Sequence, residues 1–104
     1  MNAREFVEAF LREKQDMYVS YINSNGLAVS LMIRSLNLSN DQVPILNKII
    51  DGIVTDTFYS ILLRLDGAAS IGGIQQLYKL YDQENNLISD CGEIEGEAYE
   101  VFQG

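Results

Sequence analysis

The sequence predicts an α+β domain: three antiparallel helices as the core, then a C-terminal β-hairpin, then a short final helix. Three observations carry this. Apolar residues recur at three- and four-residue spacing from Val43 to Asp66. Residues 74–82, IQQLYKLYD, alternate side to side and are followed by a turn-forming Gln83-Glu84-Asn85-Asn86. The tail 93–102, EIEGEAYEVF, places acids in a first turn and apolar groups after it, as a helix does.

The first helix is expected over residues 2–24. Phe6, Phe10, Met17, Tyr18 and Tyr21 make its apolar stripe, and Asn2 can cap it. Glu8 and Arg12 stand four apart as a favourable pair. Asn23-Ser24-Asn25-Gly26 should stop it. Residues 27–38 alternate at Val29, Leu31 and Ile33 as a strand would, but their Ala, Leu and Met content favours a helix.

The third helix, 43–66, organises the rest. Ser39 and Gln42 match a capping box, yet Pro44 would then fall inside the helix and delete an N–H. Asp41 as the cap puts Pro44 in the first turn, and this start is preferred. Gly67 closes the helix, and Gly52 inside it implies the close approach of another helix. The inward face is read as Leu46, Ile50, Ile53, Val54, Ile61 and Leu65, with Phe58 and Leu62 covered from a second side. Phe6, Phe10, Leu31, Leu77, Leu80, Ala98 and Phe102 complete the expected core.

AASIGG, residues 68–73, is read as a loop turning into the hairpin. It is no phosphate loop, because no Lys follows at the required spacing. The strands are then 74–82 and 87–90, with Asn86 in the left-handed position of the connection.

The chain has 104 residues, 47% of them hydrophobic, which suits one domain over residues 1–104. No secretory signal opens it and its longest apolar helix carries Lys48, Asp51 and Asp56, so a cytosolic protein is expected. There is no His, and Cys91 is the one Cys. No catalytic residue, metal ligand or cofactor site is therefore assigned. Cys91 lies between acids, which disfavours its thiolate. Asp82 and Glu84 do not begin a calcium loop, since Leu87 stands at the sixth position, where that loop needs Gly. A carboxylate-dependent enzyme would have to centre on Asp56 and Tyr59.

The net charge of −8 divides as −1 over residues 1–52 and −7 over residues 53–104, with no base after Lys79. That disfavours direct binding to nucleic acid or an anionic membrane and suits a basic protein partner. The expected partner-binding residues are Tyr78, Tyr81, Asp82, Glu84, Glu93, Glu95, Glu97 and Glu100: tyrosine as anchor, acids as rim. The alternative is a homodimer formed through the hairpin edge or a strip of the first helix. LDGAASIGG and YKLYDQENNLIS resemble, generically, the ending of small bacterial proteins. In size and charge the chain is similar to bacterial immunity proteins and other small acidic inhibitors, which implies a regulator of a basic partner. No residue role is taken from either resemblance.

Overall fold

The computed structural model describes residues 1–23, 27–89 and 92–104. Among them the protein has four helices and no strand: α1 (Ala3–Asn23), α2 (Ala28–Ser35), α3 (Gln42–Leu65) and α4 (Glu93–Ala98), the last continuing as a π-helical turn over Tyr99–Gln103. The fold is helical, and the α+β expectation is overturned.

Local chemistry sets the helix ends. Asn2 and Glu5 form a reciprocal box at the start of α1. The Glu5 amide donates to Asn2 Oδ1 (2.8 Å) and the Asn2 amide donates to Glu5 Oε1 (3.1 Å). α3 starts at Gln42 with Asp41 in the N-cap position, as preferred, but the Asp41 side chain makes no cap; the Ser39–Gln42 box, at 3.0 and 3.3 Å, supplies it instead. Pro44 is tolerated because the carbonyl it leaves without an amide belongs to Asn40, an exposed residue that water can serve. At the other end of α3, Gly67 takes φ +77°. Its amide donates to the Arg64 carbonyl and the Ala68 amide to the Leu63 carbonyl, the double bond of a Schellman stop. Residues 28–35 are helix, as their composition favours. The expected stop of α1 runs beyond Asn23 into residues 24–26, outside the described residues.

Where a hairpin was expected, the chain makes two tight turns, each closed by a single bridge. Ile71 and Ile74 exchange backbone hydrogen bonds of 3.0 and 2.9 Å around Gly72 and Gly73, both at positive φ. Tyr81 pairs with Leu87, and the Ile88 amide donates to the Leu80 carbonyl at 2.7 Å. The ladder then stops because a side chain takes its next place. The Leu80 amide donates to Ser89 Oγ at 2.8 Å, and that hydroxyl donates to the Tyr78 carbonyl at 3.3 Å. The left-handed residue in the second turn is Asn85, at φ +65°, rather than Asn86. The second expected strand ends at Asp90, which lies outside the described residues.

α1 and α3 run antiparallel. Val7 shares a core with Leu62 near one end, Phe10 meets Phe58 with ring centroids 5.7 Å apart, and Lys14 pairs with Asp51 at 2.9 Å further along. The buried core sits at the amino end of α1: Ala3, Val7, Leu62, Ile88, Ile94 and Ala98, with Phe6, Phe10, Tyr59, Leu80, Val101 and Phe102 packed around them. At the other end α2 lies on α1, held by Ser30. Its buried hydroxyl bonds the carbonyls of Ser20 (3.0 Å) and Tyr21 (2.9 Å). The molecule measures 48 × 29 × 25 Å, with a radius of gyration of 16.5 Å. A compact chain of this length has about 13 Å.

Several expected core residues face solvent instead. Leu31 is 52% exposed, Ile53 61% and Leu77 79%, and Ile61 is also exposed. On α3 the expected inward residues Val54 and Leu62 are buried, but Ile53 and Ile61 are not. Apolar residues stand on more than one side of this helix, so periodicity did not fix the edge of the inward face. The helix turns Ile53 outward, in line with Ile45 and Ile49.

Candidate functional site

The amino end of the molecule gathers most of the expected partner-binding acids, and it gathers them around internal positive charge. Arg4 on α1 donates to Glu97 (2.8 Å), Glu100 (3.0 Å) and Glu8 (2.7 Å). Glu8 thus pairs with Arg4, not with Arg12. Glu97 first, and then Glu8, hold the Arg4 guanidinium above its ordinary pKa. Glu93, Glu97 and Glu100 line one shallow groove with Asn2, Ala3 and Arg4.

Asp82 is used differently. Its Oδ1 accepts the amides of Glu84 and Asn86, both at 2.9 Å, and its Oδ2 accepts the Met1 ammonium at 2.7 Å. The ammonium first, and then the Asn86 contacts, hold this carboxyl far below the usual carboxylate range. In return, Asp82 raises the pKa of the ammonium. Asp82 therefore organises the second turn and ties it to α1. Of the remaining residues, Glu84 and Glu95 are exposed, and Tyr81 is 51% exposed. Tyr78 is half-buried, in a cleft with Asp66, Leu77 and Ser89.

Asp56 and Tyr59 do not converge on a further acid. Asp56 is exposed, and Tyr59 packs its ring against Phe102, with centroids 6.4 Å apart. Asp51 is taken by Lys14. Among the described residues, no group of three His, Cys, Asp or Glu side chains is placed to hold a metal ion. No helix there is long and apolar enough to cross a membrane. Cys91 lies outside the described residues.

Sequence reasoning missed two features. Asp66 ends α3 and also accepts the Glu95 amide at 3.0 Å, so it caps α4 across the fold. No local spacing reveals a cap 29 residues away. The second feature is an apolar surface on the opposite end from the acids. Along α3, Ile45 (60%), Ile49 (52%) and Ile53 (61%) stand exposed in one row. On α2 and at its C-cap, Leu31, Met32 and Leu36 are each more than half exposed. Between α1, α2 and α3 runs a groove of about 380 Å³, lined by Ile22, Ile33, Leu38, Val43 and Leu46 among others. The i, i+4, i+8 spacing of 45, 49 and 53 was visible in the sequence; that it faces outward was not.

Comparison of the chain with protein-family models, curated proteins and solved structures finds no match.

Proposed function

We propose that this chain is a non-enzymatic protein-binding module that docks its partner on the apolar row of α3. The observation behind the reading is the run Ile45, Ile49 and Ile53, each more than half exposed on a single helix face. Contiguous exposed apolar surface beyond a few hundred Å² is uncommon on a monomer and marks interaction sites. A helix face of this kind is read by a partner through its i, i+4, i+8 side chains.

A second reading keeps the partner basic. Glu84, Glu93 and Glu95 are exposed, and among the described residues none of the three forms an ion pair. They leave a negative field at the amino end that can speed the approach of a basic protein. Glu97, Glu100 and Asp82 add less to that field, because Arg4 and the Met1 ammonium offset them.

One experiment separates the two. The full chain is immobilised and used for capture from host extract, beside Ile49→Glu and a Glu84→Gln, Glu93→Gln, Glu95→Gln triple variant. Docking on α3 predicts that Ile49→Glu loses the captured protein and the triple variant keeps it, at low and high salt. Capture that survives Ile49→Glu but fails in the Gln variant or at high salt would transfer the site to the acidic end.

A further inference from the structure

We infer that the occupant of the α3 row is a second copy of this chain, its α3 crossing the first antiparallel at Gly52 about a two-fold axis. The inference rests on the docking surface proposed above and names its partner. Three observations on the exposed face of α3 support it. Gly52 is exposed, and a Cβ built there would meet nothing within 4 Å. It lies in the same solvent-facing strip as Ile45, Ile49 and Ile53. A glycine at a crossing point lets two backbones approach more closely than larger residues do.

The charges beside it are self-complementary. Lys48 lies four residues before Gly52 and Asp56 four residues after. Both are exposed, and among the described residues neither has an ion-pair partner. They are eight residues apart, roughly 12 Å along the axis, too far to pair within one helix. A two-fold through Gly52, perpendicular to the helix, sets Lys48 of each copy against Asp56 of the other. Two equivalent ion pairs form, as an isologous contact requires. A parallel crossing at the same point would oppose Lys48 to Lys48 and Asp56 to Asp56. The charges therefore select the antiparallel arrangement, and the isoleucines of the two copies cover one another beside the crossing.

The net charge of −8 does not prevent this. The acid-rich part of the chain packs on the amino end of α1 and the Leu62 end of α3. Gly52 is ten residues from Leu62, roughly 15 Å along the helix. That exceeds the screening length of about 8 Å at physiological salt.

The test is sedimentation equilibrium of the full chain, with Lys48→Asp, Asp56→Lys and the double exchange. All three are changes at exposed positions, and circular dichroism checks that each variant folds. The expected result is a dimer whose dissociation constant rises about tenfold or more in either single variant, where like charges meet twice. In the double exchange it returns to within about threefold of the original, the mark of a direct pair in a double-mutant cycle. A chain that stays monomeric at about 100 μM, far above the dissociation constant of a specific dimer, overturns the inference. So does a dimer indifferent to both reversals. The capture experiment keeps the two claims apart. A monomer that still captures another protein in an Ile49-dependent way refutes only the second copy. Ile49→Glu without effect on either capture or sedimentation refutes the docking surface as well.

Discussion

Leu62→Ala is expected to lower the unfolding free energy by about 2–5 kcal/mol, and Ile53→Ala by less than about 0.5 kcal/mol. Both residues are large aliphatics of α3, nine positions apart, and the alternation of apolar groups in the sequence does not separate them. Their surroundings do. Leu62 is fully buried among Val7, Ile88, Ile94 and Ala98, where removal of three carbons leaves a cavity that the neighbours fill only in part. Ile53 is 61% exposed, so truncation removes little buried surface. Urea titration in dilute solution, where any association is minimal, measures both. A cost for Ile53→Ala equal to that for Leu62→Ala would mean that α3 is rotated from the phase described.

Ile94→Asp is expected to be more severe, at about 4 kcal/mol or more at pH 7. Ile94 is fully buried and is the side chain by which α4 enters the core. A carboxylate there has lost its water and gains no described partner. Burial raises its folded-state pKa above the unfolded value of about 3.9. Linkage then fixes the sign. The protonated form is tolerated better in the fold, so the deficit is smallest at low pH and grows as pH rises through the raised folded value. Unfolding measured at pH 7 and near pH 4.5 should show the larger loss at pH 7. A deficit below about 1 kcal/mol, or one equal at both pH values, would show that α4 is not anchored through Ile94.

α1 and α3 were legible because their ends rest on local signals. Asn2–Glu5, Ser39–Gln42 and the Gly67 stop are read within five residues, and the structure uses all three. What failed depended on partners distant in sequence. Alternation in 74–82 suggests a strand, but strands need a ladder, and Ser89 occupies its next rung with a hydroxyl. Acid clustering after Lys79 suggested a field aimed outward. Arg4 and the Met1 ammonium, some 80 to 96 residues away in sequence, turn part of it inward. Of the apolar row of α3, Ile53 was assigned to the core and Ile45 and Ile49 to neither side, because apolar residues on more than one side of that helix left the edge of its inward face undetermined.

The length of the molecule has a consequence for its cooperativity. The buried core, with α4 and the two tight turns, occupies one end. At the other, α2 and the first turns of α3 bury little beyond Ser30 and the half-covered side chains between the helices. Opening that end exposes little new apolar surface and costs less than unfolding the whole chain. The amides of 28–35 and 45–50 should therefore exchange with solvent deuterium through a partial opening, while those of 54–65 exchange only when everything unfolds. A single melting temperature would report the second event and miss the first. If a second copy covers α3, binding draws on the less stable unit, and association would appear first as slowed exchange there.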